Sequence, residues 1–255
     1  MNNENQIQEF FDDVALGRSE FFLTYPNLAY EQNMRAKSLF AALDPQAEEF
    51  ILDAGCGHGA DLIPLLKKKC RCAGIDLSEN MIAETKKELK RNGLDTRDLT
   101  LSTGDITRLA WPDAVFDKVF ASEIIEHVPD YPKAIAELSR VLKPGGTLVI
   151  TTPNRKGIYA WERYLVYERI LKRKWPHPYD EWKTYEELKP VFAKNNLKIV
   201  YAASFCFMFG GALFVNRYPM PLKKMVIWIT SCLEPILSRL FPLGGYSLCL
   251  KAIKE

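Results

Sequence analysis

Short apolar runs and longer amphipathic stretches take turns through the middle of the chain, and that rhythm sets the expected architecture. Between Phe50 and Asn154 the apolar runs end at Asp53, Asp76, Gly104, Ser122 and Thr152. Stretches with apolar residues at helical spacing separate them, among them Ala60–Lys69, Glu79–Asn92 and Pro132–Leu142. Strand and helix in turn predict a parallel sheet with helices on both faces, joined by right-handed crossovers. Lys143-Pro144-Gly145-Gly146 predicts a turn ahead of a strand over Thr147–Thr152. The flanks differ. Residues 1–45 read as amphipathic helices broken near Tyr25-Pro26-Asn27, and residues 155–182 are rich in aromatic and basic groups. Thr184 and Glu187 form a capping box at the head of a further helix. A strand over Leu197–Ser204, a second apolar excursion over 205–244 and a last strand near Tyr246–Ile253 complete the pattern.

The apolar stretch Met225–Cys232 is interrupted by Glu234, Pro235 and Arg239 before it reaches the roughly 20 residues a bilayer span takes. A lid over the site, a homodimer surface and a shallow, peripheral membrane contact all remain open for it, with the lid the default. Hydrophobic content of 47% and charged content of 26% fit a folded, soluble chain. A net charge of +2 gives no pull toward nucleic acid, and Lys67, Lys68, Lys69 and Arg71 read as a solvated helix end. None of the six cysteines forms a CxxC pair and no secretory signal precedes Asn2–Glu9, so reduced thiols and a cytoplasmic location are expected.

Phe50–Gly59 reads FILDAGCGHG, an apolar run, an acid and a loop of three glycines. Gly55, Gly57 and Gly59 remove side chains that would keep a ligand off the backbone, and Cys56 is a small residue that fits among them. The helix that follows points its positive end at whatever fills the loop. Open parallel sheets bind ligands at the carboxyl ends of their strands. Asp53, Asp76, Asp105 and Glu123 fall at four such ends, and Asp76 stands about 20 residues past the loop, where a carboxylate accepts both ribose hydroxyls. Gly55, Gly57 and Ala60 also satisfy GxGxx(G/A), so a nicotinamide-binding fold is the nearest rival by glycine spacing.

ILDAGCGHG, GIDLSENMI, GDITRLAWPDAVFDKVFASEIIEHVPD and LKPGGTLVITTPN together resemble, in order and spacing over residues 50–154, the successive motifs of class I S-adenosylmethionine-dependent methyltransferases. Residues 155–255 match only loosely. The resemblance implies a Rossmann-like, doubly wound α/β fold with a mostly parallel seven-stranded sheet, and S-adenosyl-L-methionine as cofactor. It implies one methyltransferase domain over 1–255: a helical cover (1–45), a cofactor-binding core (46–154), an acceptor-side insertion or lid (155–244) and a final strand (245–255). It places Gly55, Cys56 and Gly57 against the methionine part, Asp53 near its ammonium, and Asp76 on the ribose. Leu77 and Met81 are expected beside the adenine, Asp105 on its amino group with the Ile106 backbone adjacent, and Ser122 and Glu123 at the methionine end. In the quinone-precursor O-methyltransferase branch an arginine one helix upstream of the loop contacts the cofactor carboxylate, and Arg35 stands there, where a surface helix arginine is the other reading.

Methyl transfer needs the acceptor held in line behind the methyl group, and a base only where the acceptor is a hydroxyl or a protonated amine. Glu123, Glu126 and His127 are the candidates, sharing one face if a helix starts there. His127 has a second reading as a structural or cofactor-lining residue. The same triplet resembles the Mg²⁺-binding set of the quinone-biosynthesis enzymes, against the expectation of no metal. Tyr25, Tyr30, Tyr159, Trp161 and Trp175 suit a ring-bearing or lipid-like small-molecule acceptor, although aromatics at helical spacing also serve as core. The expected activity is transfer of the methyl group to such an acceptor, at oxygen before nitrogen or carbon. The alternatives are an NAD-dependent oxidoreductase and a non-catalytic S-adenosylmethionine-binding module.

Overall fold

A computed structural model describes residues 6–12, 26–172, 178–207 and 219–255. Tyr25 and Trp175, and the parts of the expected N-terminal cover and apolar excursion at 1–5, 13–25 and 208–218, lie outside the described residues. The first strand, β1 (Phe50–Ala54), is buried along most of its length, as its apolar run requires. It pairs in parallel with β2 (Arg71–Asp76) and with β4 (Phe116–Ser122). Outward from β2 lies β3 (Leu99–Thr103), and outward from β4 lies β5 (Leu142–Pro153), both parallel. Two late strands, β6 (Leu197–Phe205) and β7 (Ser247–Lys254), close that side, with β7 antiparallel to both β5 and β6. The seven-stranded order is β3-β2-β1-β4-β5-β7-β6. The chain turns outward on both sides of β1, so the switch point falls between β1 and β4.

Helices cover both faces. Residues 6–12 form α1, followed by α2 (Pro26–Leu43), α3 (Leu62–Lys67), α4 (Glu79–Arg91) and α5 (Tyr131–Val141). Beyond the core lie α6 (Tyr185–Lys194) and α7 (Met220–Leu240). The caps that start these helices are written in the sequence. Ser78 accepts the Met81 amide at 3.1 Å, and Asp130 accepts that of Lys133 at 3.2 Å. Thr184 and Glu187 exchange both bonds of the expected capping box. Two apolar clusters fill the faces, one with Leu52, Val119, Leu138, Leu148 and Phe192, the other with Ile51, Leu65, Phe120, Leu39 and Trp182.

Two expectations change, and one feature is new. The Lys-Pro-Gly-Gly turn lies inside β5 and not ahead of it: Phe116 pairs with Leu142 and Lys118 with Thr147, so the extra residues bulge within one continuous strand, with Gly145 at φ +75°. No α-helix starts at Glu123. That residue has φ +55°, and a single 3₁₀ turn, Ile125–His127, follows it. Residues Glu162–Ile170 form a π-helical stretch, in which the Leu171 amide reaches the Val166 carbonyl at 2.8 Å.

Candidate active site

The loop after β1 is shaped by its glycines. Gly55 holds φ +90°, and a Cβ there would lie 2.4 Å from the Ile124 side chain, so backbone takes the place of side chain at the switch point. The Gly55 and Cys56 amides donate to the Ile75 carbonyl at 2.7 and 2.9 Å, which ties the loop to the end of β2. Thr85 of α4 donates its hydroxyl to the Gly57 carbonyl at 2.7 Å. Asp76 completes the frame: its two oxygens accept the amides of Gly57 and Ser78 at 2.8 and 3.0 Å.

Two cavities meet over this frame and share Phe11, Gly55, Asp76, Ile124 and His127 as walls. The first, about 210 Å³, is apolar in character and is lined by Leu77, Ile106 and Val128 with Asp105 at its rim. Asp105 accepts the amide and hydroxyl of Thr107 at 2.8 and 2.6 Å, which fixes the turn after β3. The second, about 170 Å³, is polar and is lined by Arg35, Cys56, Gly57, Asp61, Ser122 and Glu123. Met81, expected with Leu77, stands on the second cavity. Asp53 lies buried beneath the loop and lines neither cavity. Burial pushes its carboxyl up, Asp61 adds to that, and Arg35 opposes it. It therefore reaches the site as charge alone.

Arg35 is the hub of the second cavity. Its guanidinium donates to both oxygens of Asp61, at 2.6 and 3.1 Å, and to the Ser122 hydroxyl at 2.5 Å. Burial alone would lower its pKa, yet Asp61 beside it holds it above the ordinary arginine value, with Glu123 and Asp53 adding to the effect. The reading of Arg35 as a surface arginine is corrected: it is half-buried and faces the site. Asp61 was not singled out from the sequence, although its place two residues past the glycine loop carries the signal. Glu31 was also missed. It sits four residues before Arg35 on α2, the spacing that shares a helix face, and burial, followed by the nearby Glu123, pushes it up to about 8.

Glu123 projects from a left-handed turn at the tip of β4, a backbone state that costs about 1–3 kcal/mol and gathers at functional sites. Its Oε2 accepts the Ser247 hydroxyl at 3.2 Å, while Oε1 is buried with no partner among the described residues. Burial raises it to about 7 against the pull of Arg35. Glu126 points elsewhere. It is buried, accepts the Thr152 hydroxyl at 2.9 Å, and burial with Glu123 nearby raises it well above the carboxylate range. His127 lines both cavities, with Nδ1 3.0 Å from the Tyr179 carbonyl and its ring edge-on to Phe11. The 3₁₀ turn thus keeps Glu126 Oε1 3.9 Å from His127 Nε2 but leaves Glu126 off the walls of both cavities, unlike Glu123 and His127. No metal-holding group of three His, Cys, Asp or Glu side chains occurs among the described residues. Of the acceptor-side aromatics, Tyr30 and Tyr159 are buried away from both cavities and Trp161 is exposed.

A family described as "Methyltransferase domain" matches residues 52–150. The ubiquinone biosynthesis O-methyltransferase of Bartonella bacilliformis is 30% identical over 176 residues, covering 68% of this chain and 67% of that protein. The chain belongs to the class I S-adenosylmethionine-dependent methyltransferase family. The protein of the same name from Methylococcus capsulatus is 31% identical over 158 residues, 56% of this chain and 64% of its own. The chain spans between about half and two thirds of the length of these first curated relatives. Among solved structures, a geranyl diphosphate C-methyltransferase from Streptomyces coelicolor A3(2) superposes with a TM-score of 0.67 at 16% identity, covering 100% of this chain and 99% of the other. That likeness extends the methyltransferase fold past residue 154, where the sequence motifs stop. Membership also removes the nicotinamide rival.

Proposed function

We propose that this protein transfers a methyl group from S-adenosylmethionine to a hydroxyl oxygen of a small, uncharged or lipid-like acceptor. The observation that carries the reading is Glu123: a carboxylate on the wall of the second cavity, raised to about 7, with one buried oxygen left without a hydrogen bond among the described residues. A base so tuned is useful for a hydroxyl acceptor and superfluous for a free amine or a thiolate. The relatives named as ubiquinone biosynthesis O-methyltransferases support oxygen as the target atom, although a C-methyltransferase of ubiquinone and menaquinone biosynthesis is 31% identical over 157 residues.

The groove fits the cofactor. Its apolar half suits an adenine between Leu77 and Ile106, with Asp105 at the rim for the amino group. Asp76, at the junction, is placed for the ribose hydroxyls while it holds the loop. Gly55 and Gly57 leave room for the methionine chain, and Arg35 is placed for its carboxylate. When bound, the cofactor supplies an electrophilic methyl group on its sulfonium. Glu123 takes the proton of the acceptor hydroxyl, Ser247 donates to that carboxylate, and Arg35 acts on it through its charge. Phe11 and His127 close the groove against water.

Two measurements test this. Labelled S-adenosylmethionine offered to catechols, phenols and hydroxylated prenyl compounds is expected to give a methyl ether. Label on carbon or nitrogen would overturn the oxygen reading, and no binding of S-adenosylhomocysteine by calorimetry would overturn all of it. The Asp76→Ala variant is expected to weaken binding of both S-adenosylhomocysteine and methylthioadenosine about 100-fold, since each hydrogen bond to a charged group is worth about 1.5–3 kcal/mol. Equal affinity in the variant would take Asp76 off the ribose.

A further inference from the structure

Helix α7 is built inside out. The side chains it buries are Lys223, Thr230 and Glu234, whereas Met225, Trp228, Ile229, Ile236 and Leu240 face outward. Trp228 is 68% exposed and Leu240 66%. A surface helix of a water-soluble fold shows the opposite order. The inward polar face has a local cause: Glu234 accepts the amides of Cys206 and Phe207 at 2.6 and 2.9 Å and the Tyr30 hydroxyl at 3.3 Å, capping the end of β6. The outward apolar face has none, for among the described residues nothing covers it. This is also not the buried lid that was the default expectation for this stretch.

A second apolar strip lies on the segment tied to the loop that follows α7. The segment around the π-helical stretch exposes Trp161, Leu165, Ile170 and Leu171. The two meet where the Ile158 amide donates to the Gly244 carbonyl at 2.9 Å, three residues beyond the exposed Phe241. The charges on these elements are sorted by sign. The acids are turned away: Glu162 is buried, Glu168 is paired with Arg163 at 3.1 Å, and Glu234 faces the core. The exposed charges, Arg169, Lys172, Lys224 and Arg239, are all cationic.

We propose that this face docks on an anionic lipid bilayer, with α7 lying in the headgroup plane, its apolar side chains entering the acyl boundary and its cations meeting lipid phosphates. No described helix is long and apolar enough to cross a membrane, so the contact is peripheral. The sign of the rim decides against a second copy of this chain as occupant, because a two-fold contact would set cation against cation. The inference goes beyond the proposed methyl transfer and does not depend on it.

The test is co-sedimentation of the full chain with phosphatidylcholine vesicles, with and without phosphatidylglycerol. Binding is expected to the anionic vesicles, weakening as salt is raised. The Lys224→Gln/Arg239→Gln variant is expected to bind roughly 30-fold more weakly, from about 1 kcal/mol per cation removed. Trp228→Glu/Ile236→Glu is expected to abolish binding, with S-adenosylhomocysteine affinity and circular dichroism unchanged because both side chains lie on the outer face. Equal sedimentation with neutral and anionic vesicles, or none with either, would overturn the proposal. So would a dimer in solution that the Trp228→Glu/Ile236→Glu variant dissolves.

Discussion

Arg35→Ala is expected to lower the unfolding free energy by about 3–5 kcal/mol, the usual result of removing one partner of a buried ion pair. The guanidinium spans Asp61 and Ser122 and faces Asp53 and Glu123, so its loss strands several acids in a poorly solvated space. Burial and mutual repulsion would then force protons onto them. The double variant Arg35→Met/Asp61→Leu is expected to regain most of the lost stability, since an apolar pair of similar volume often replaces a buried ion pair at little cost. It should not regain affinity for S-adenosylhomocysteine, while affinity for methylthioadenosine, which lacks the carboxylate, should be largely kept. Urea unfolding and calorimetry read the two effects separately. A single variant within 1 kcal/mol of the wild type, a threshold at the level of an exposed pair, would mean that Arg35 is solvated and not the hub described.

Glu123→Gln is expected to lower kcat about 10²–10⁴-fold, the range for loss of a general base, with little change in cofactor affinity. In the wild type, activity should rise as pH passes through about 7, where the Glu123 carboxyl loses its proton, and the variant should lose that rise. Stability should move the opposite way. The folded state holds this proton up to about 7, whereas the unfolded chain releases it near 4.5. Between those values the native state binds more protons, so stability falls as pH rises. Glu31, raised to about 8, carries the same trend further. The Tm of Glu123→Gln should therefore exceed that of the wild type at about pH 8, above that window, and approach it at about pH 5, near its lower edge. A variant with wild-type turnover would remove Glu123 from the chemistry.

The sheet was legible because its strands are apolar runs between capped helices. All seven were placed to within a residue at their carboxyl ends, whereas their order across the switch point came only with the structure. Local signals failed where the backbone departs from regular geometry. The Lys-Pro-Gly-Gly stretch has the residues of a turn, but pairing with β4 on both sides draws it into a strand. The Glu123–His127 segment has helical spacing, but the left-handed turn at Glu123 breaks it, leaving Glu126 bonded to Thr152 near the end of β5 and His127 on the wall of the groove. Asp76 and Glu123 were readable from motif order and Arg35 from its place one helix upstream of the loop; Asp61 and Glu31 carry weaker local signals, whereas Ser247 is joined to Glu123 only by packing between distant elements. No single-sequence pattern records such pairings.

The antiparallel strand β7 lies between β5 and β6, and among the described residues β6 pairs with no other strand. The ribosome thus releases β6 some forty residues ahead of the only neighbour that can receive its hydrogen bonds. One strand has to wait, edge unpaired, while the five before it can already pair. Clipping the last ten or so residues would remove β7 and leave β6 without its strand partner, and a bulky tag placed close to Lys254 would crowd an inner strand, one in from the margin.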